Sequence, residues 1–130
     1  MRKIISIILA IIMTIFAITI TSSAETSGDW SYSVISEIDK TVQITEYKGS
    51  ETEIEIPSSI DGYTVTAIGE WTFYYCDNLT SIIIPDSVTL INKYSFAYCN
   101  GLTSITIPEG VTTIGDNAFS YCENLENITI

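Results

Sequence analysis

Two glutamates, three cysteines and a set of aromatic rows are the side chains of this 130-residue sequence whose types and spacing could do chemistry. Histidine is absent, so a histidine-based triad and the commonest zinc ligand are excluded, and catalysis would fall to carboxylates or a thiol. Glu53 and Glu55 alternate along one predicted strand, which sets them on the same face about 6.6–7 Å apart. That separation suits a glycoside hydrolase acid and base. Such a pair also needs a cleft and two unequal carboxyl environments, and no aromatic walls accompany it in the sequence. The competing reading is an exposed strand kept polar for solubility. A carboxylate-dependent hydrolase stays as the remote alternative.

Cys76, Cys99 and Cys122 make an odd set, which in a secreted chain raises a disulfide or a free thiol. Each lies three residues after a phenylalanine and three before a leucine, a position that suits a small buried hydrophobe. Stacking would hold their Cα atoms about 5 Å apart, a distance that also admits a bridge. Closely paired ligands for a metal are lacking, and no cofactor is expected. Tyr75, Tyr98 and Tyr121, with Trp71, Tyr74 and Tyr94 nearby, form further rows. Their expected role is to close one side of the core, each tyrosine burying its ring and keeping its hydroxyl wet. A platform for sugars or proteins is the alternative.

These residues are set by a repeat. Phe73, Phe96 and Phe119 lie 23 positions apart, as do the cysteines and Leu79, Leu102 and Leu125. A fixed period of about 20–50 residues signals a solenoid, in which neighbouring coils share one apolar strip. Phenylalanine, cysteine and leucine form its core ladders. Val65–Ile68, Val88–Ile91 and Val111–Ile114 read as short strands, followed by Gly69, Asn92 and Gly115, which tolerate left-handed backbone. The next six residues, ending in Phe-x-x-Cys, are expected to make one or two helical turns closed by left-handed caps at Asn78, Gly101 and Asn124. A second strand then runs through Ser81–Ile84, Ser104–Ile107 and Asn127–Ile130. In-register stacking makes these a parallel sheet about 4.8 Å per strand. Its inner face is isoleucine and leucine, and its outer face carries Glu53 and Glu55, then Ser81 and Ile83, Ser104 and Thr106, Asn127 and Thr129.

The phrase Ile-Gly-x-x-x-Phe-x-x-Cys-x-x-Leu-x-x-Ile-x-Ile-Pro resembles the leucine-rich repeat superfamily, specifically the 23-residue BspA-like class of bacterial surface antigens, over Ile54–Ile130. Asn92 replaces the usual glycine, and the third copy lacks its proline. The resemblance implies an extracellular curved solenoid with parallel strands on its concave face and a role in adhesion or protein–protein interaction. The fold expected is thus a β-rich leucine-rich repeat solenoid, an α/β repeat with short helical turns, behind an N-terminal β-hairpin cap.

Ahead of the repeats, Arg2 and Lys3 precede an apolar run from Ile4 to Ile20 and the small residues Ser22 and Ala24, the pattern of a secretory signal peptide at 1–24. Retention as an anchor is the alternative. Residues 25–29 read as a disordered leader. Trp30–Glu37 and Thr41–Tyr47 alternate as a hairpin, so 25–67 is a β cap with a partial repeat and 68–130 three repeats. Asp61-Gly62 marks a turn in the extra residues before Ile68. After residue 24 the chain has three lysines against 16 carboxylates, a formal charge of −13. That surface repels nucleic acid and anionic lipid, so no membrane association is expected after cleavage. The partner expected is an extracellular protein or glycan, met by Ser81, Ile83, Ser104, Thr106, Asn127 and Thr129, with Glu53 and Glu55 at the rim. A structural spacer or a truncated fragment is the alternative. Ile130 ends on a core strand with its edge open, which predicts truncation or end-to-end self-association.

Overall fold

A computed structural model describes residues 24–130, and the expected signal peptide lies outside them except for Ala24. The chain winds through β1 (Glu25–Ser27), β2 (Trp30–Ser36), β3 (Thr41–Tyr47), β4 (Glu53–Glu55), β5 (Ser59–Ile60), β6 (Tyr63–Ile68), β7 (Ser81–Ile83), β8 (Leu90–Ile91), β9 (Ser104–Thr106), β10 (Thr113–Ile114) and β11 (Asn127–Thr129). Two sheets form the walls of the solenoid. One runs β1-β2-β3-β6-β8-β10 with β5 attached to β6, and the other runs β4-β7-β9-β11. From β4 and β6 onward the pairings from one coil to the next are parallel and in register: Ile54, Ile82, Ile105 and Ile128 stand in one row, and Ala67–Leu90–Thr113 in another. From Ile82 onward the 23-residue period produces this, because an equal number of residues per turn returns the same side chain to the same height, whereas the 28 residues from Ile54 to Ile82 keep the row by looping out the extra turn at Asp61-Gly62.

The ahead-of-repeat region behaves as alternation predicts. β2 and β3 pair antiparallel, with irregularities between Ser31 and Tyr32 and between Val34 and Ser36. β3 then lies parallel to β6. Asp61 (φ 49°) and Gly62 (φ 85°) make the two-residue left-handed turn between β5 and β6, the geometry that an Asp-Gly pair favours. Residues 25–27 are not a loose leader. They form β1, paired to β2 from Glu25–Tyr32 to Ser27–Trp30, and Glu25 and Asp61 both lie within hydrogen-bond distance of the buried Tyr32 hydroxyl, at 2.9 and 2.8 Å.

The helical turns are not there: no α-helix occurs among the described residues. The reason lies in the direction of the backbone donors. Phe73 N–H donates to Ser95 O (2.8 Å) and Tyr75 N–H to Ala97 O (3.1 Å), with Phe96 to Ala118 (2.8 Å) and Tyr98 to Ser120 (2.9 Å) repeating the pattern one coil on. Intervening residues close short turns, Tyr74 to Trp71 (3.1 Å) and Cys76 to Phe73 (3.2 Å). Half the donors are thus spent on the neighbouring coil and cannot serve a helix. Left-handed backbone falls at Trp71, Tyr75, Tyr94, Tyr98, Asn117 and Tyr121, and not at Gly69, Asn92 and Gly115 or at the expected caps Asn78, Gly101 and Asn124. Gly69 answers a different need. A Cβ there would sit 2.8 Å from the Ile44 carbonyl of the coil below. Asn92 at the same position turns its amide to the equivalent carbonyl, Ile68 O, at 3.1 Å.

The core is a strip between the sheets. Phe73, Phe96 and Phe119 stack with centroids 5.0 and 5.1 Å apart and planes within 2°. Trp30 and Tyr47 pack against the free side of Phe73 at 6.3 and 6.4 Å, where a preceding coil would bring its own ring. At the other end Phe119 and Leu125 are only half-buried, since the third coil has a neighbour on one side alone among the described residues.

Candidate functional site

The outer face of β4-β7-β9-β11 gathers all eight strand residues read from the sequence. Glu53, Ser81, Ser104 and Asn127 pair in one row, and Glu55, Ile83, Thr106 and Thr129 in the next. Alternation turns Ile82 inward at 2% exposure and leaves Ile83 outward at 56%. The result is a row of short hydrogen-bonding side chains with one apolar side chain among them. Glu53 and Glu55 share this face on exposed β4 at the sheet edge. Neither of the two clefts beside the aromatic rows has them in its lining.

The ladder residues line the core. Phe73, Phe96, Leu79, Leu102 and Cys99 are buried, and Phe119, Leu125, Cys76 and Cys122 are partly so. All three thiols are free. Cys99 donates to Phe73 O (2.9 Å) and Cys122 to Phe96 O (3.0 Å), each a second donor to a carbonyl that already closes the turn of the preceding coil. The neighbouring Cys122 sulfur, and then burial, hold the Cys99 thiol well above the ordinary thiol range. Burial, with Asp77 adding to it, raises Cys76.

The aromatic rows stand outside the core that they were expected to close. Tyr75, Tyr98 and Tyr121 stack at 4.7 and 4.6 Å with planes 13° apart, and Trp71 and Tyr94 stack at 4.3 Å with planes 3° apart. Tyr74 stands nearly perpendicular against Trp71 and Tyr75, at 4.8 and 4.5 Å. Tyr75 is 54% exposed and Tyr121 65%. Partial desolvation, then the hydroxyls of Tyr75 and Tyr98, raise the Tyr74 phenol above its usual value. Two clefts flank this ridge. One, of about 340 Å³, is lined by Trp71, Tyr74, Tyr94, Tyr98, Asn117, Ser120 and Tyr121. The other, of about 430 Å³, lies where Tyr75 meets Tyr47, Gly49, Ser50, Glu51 and Cys76 to Leu79. Tyr47, Glu51 and Asp77 carried no signal in the sequence as site residues, because the loop that brings them together has no counterpart in the repeat. The charge around the ridge is negative: Lys40, Lys48 and Lys93 are each paired, to Glu37 (3.1 Å), Glu46 (3.6 Å) and Glu70 (3.4 Å), while Asp77, Asp116 and Glu123 are exposed with no basic partner among the described residues.

Solved structures share this architecture. A leucine-rich repeat protein from Bacteroides capillosus is 25% identical, with 82% of this chain and 97% of that one covered and a TM-score of 0.60. One from Bacteroides ovatus is 25% identical over 82% of this chain and 41% of its own, with a TM-score of 0.53. The T. pallidum leucine-rich repeat protein, at 20% identity and a TM-score of 0.53 over 82% of this chain and 71% of its own, shares the fold. No curated protein matches the sequence. The family model of the BspA type leucine-rich repeat region, a model of six copies, matches residues 45–130, well over half of the sequence. Period, register and family model agree: the chain belongs to the BspA-type leucine-rich repeat family.

Proposed function

We propose that this protein is a secreted or cell-surface binding module, non-catalytic, that holds an extracellular protein or glycan against the outer face of β4-β7-β9-β11. The observation that carries the reading is the exposed Ile83 held in register between Glu55 and Thr106 on a face otherwise made of short polar side chains. A large apolar side chain ringed by hydrogen-bonding groups is the usual composition of an interface anchor and its rim. Ser81, Ser104, Thr106, Asn127 and Thr129 supply the directional contacts, and Glu53 and Glu55 add charge at one edge. Membership of a bacterial repeat family built on stacked scaffolds supports the same reading.

The test is binding of the purified, monodisperse protein to an array of extracellular-matrix proteins and glycans. An Ile83→Glu/Thr106→Arg variant runs beside it. Loss of an anchor is worth about 2 kcal/mol or more, so the variant is expected to bind about thirtyfold more weakly. Undiminished binding by a folded variant refutes this site.

A further inference from the structure

We propose that the turn ridge is a second, separate docking surface, and that its occupant is an extended arginine- and lysine-rich polypeptide segment. Trp71, Tyr75, Tyr94, Tyr98 and Tyr121 all have φ between 56° and 62°. A bulky residue in the left-handed region is a backbone outlier, and each such residue costs about 1–3 kcal/mol. Asn117 occupies the Trp71 and Tyr94 position in the third coil, so a side chain suited to that backbone is available. Two coils nevertheless place an aromatic ring there, and all three place a tyrosine at the second left-handed position. Strain repeated at the same outward ring positions, of which Trp71, Tyr75 and Tyr121 are exposed, points to a surface held for recognition.

The packing of the rings decides the class of ligand. A sugar stacks on an open ring face, but here the facing sides of Trp71 and Tyr94, and of Tyr75, Tyr98 and Tyr121, are spent on one another at 4.3–4.7 Å, and an open face is left only at a row end such as Tyr121. What the length of the ridge turns outward is ring edges, phenol oxygens and the two clefts. Long basic side chains fit that surface: their alkyl stems lie on apolar edges while the cationic heads reach acceptors beyond. Asp77, Asp116 and Glu123 supply those acceptors beside the ridge, and a planar guanidinium can take a carboxylate by two hydrogen bonds. The three described lysines are already paired within the chain, so the charge that this face lacks must come from the partner. The segment is extended because the tyrosine row itself runs from coil to coil, its centroids 4.7 and 4.6 Å apart.

The probe is a fluorescein-labelled nona-arginine peptide, read by anisotropy at 0.15 M salt against the purified protein and two double variants. Glu123→Gln/Asp77→Asn removes ridge charge, and Glu53→Gln/Glu55→Gln removes equal charge from the strand face. Loss of charge-assisted hydrogen bonds predicts at least about tenfold weaker binding for the ridge variant and less than about twofold for the strand variant. Tyr121→Ser, at an exposed end ring, is expected to weaken binding by a further factor of about three to ten. Equal losses from both charge variants would reduce the effect to net charge and overturn the site. So would no binding by the wild type, or capture of neutral glycans that Tyr121→Ser abolishes while nona-arginine is unaffected.

Discussion

Removal of one ring from the middle of the phenylalanine stack should cost far more than removal of the same ring from its end. Phe96 is fully buried and packs on Phe73 at 5.0 Å and on Phe119 at 5.1 Å. Burial alone places a Phe→Ala change in a core at about 3–5 kcal/mol. Two parallel ring partners, each worth about 0.5–1.5 kcal/mol beyond area, push Phe96→Ala to the upper end, about 4–5 kcal/mol. Phe119 is half-buried with one ring partner among the described residues, so Phe119→Ala should cost about 2 kcal/mol. The comparison is made by urea unfolding followed by far-ultraviolet circular dichroism. A domain of this size holds about 5–15 kcal/mol in all, so Phe96→Ala can approach the folding limit. Phe96→Leu then serves instead: it keeps most of the volume, deletes both ring pairs, and should cost about 1–3 kcal/mol. Equal costs at Phe96 and Phe119 would refute the premise that each coil is stabilised by its immediate neighbours.

Two further outcomes follow from the backbone and the buried acids. Tyr94→Asn should change stability by less than about 1 kcal/mol in thermal unfolding, because relief of the left-handed strain offsets the lost Trp71 stack, whereas Tyr94→Val should cost about 2 kcal/mol more; a valine tolerated as well as asparagine would show that φ 56° is not enforced. Stability should also fall at alkaline pH. Burial, with Asp77 adding to it, raises the folded pKa of Cys76 above the unfolded value of about 8.5, and burial, then its bonds to Asp61 and Glu25, raises that of Tyr32 above about 10. In each case the unfolded chain loses its proton first, so the stabilisation is complete below the unfolded value and declines as pH rises past it. Under reducing conditions Cys76→Ala should flatten the decline that starts near pH 8.5, and Tyr32→Phe the part above about pH 10; unfolding free energies independent of pH from 8 to 11 would contradict both.

The period was legible because Phe73, Cys76, Leu79 and Ile82 face inward, and inward positions tolerate little change from coil to coil. Strict alternation in Glu53–Glu55 and its counterparts likewise placed the strand face correctly, and Asp61-Gly62 marked its turn. The helical turns went wrong for a physical reason. Six residues between strand and cysteine are long enough for a helix, but sequence spacing cannot say whether a backbone N–H bonds within its own coil or to the next one. Phe73 and Tyr75 do the latter. The tyrosine row misled in the opposite way. Identity at Tyr75, Tyr98 and Tyr121 suggests rings buried to close one side of the core, although repetition shows only that three side chains meet the same environment. Variation at Trp71, Tyr94 and Asn117 was the better signal, since a position that accepts all three is not packed inside.

Backbone geometry at the ridge is the same in each coil while the side chains on it differ. Trp71, Tyr94 and Asn117 have φ values of 60°, 56° and 57°, and Tyr75, Tyr98 and Tyr121 of 58°, 62° and 59°. The turn is therefore set by coil-to-coil hydrogen bonds and by the phenylalanine stack beneath, and not by the residue displayed. Tyr94 N–H reaches Asp116 O (3.2 Å) and Tyr98 N–H reaches Ser120 O (2.9 Å) through main-chain atoms that every residue but proline shares. Substitution at an outward position can then alter charge, hydrogen bonding or apolar area without moving the frame. The third coil already does so: Asn117 takes the place of a ring, and its amide donates to the Tyr94 hydroxyl at 3.1 Å. A repeat of this kind separates the residues that make it fold from those that decide what it holds, which is why its architecture follows from the spacing of phenylalanine, cysteine and leucine while its ligand has to be argued from Ile83 on one face and from the stacked rings on another.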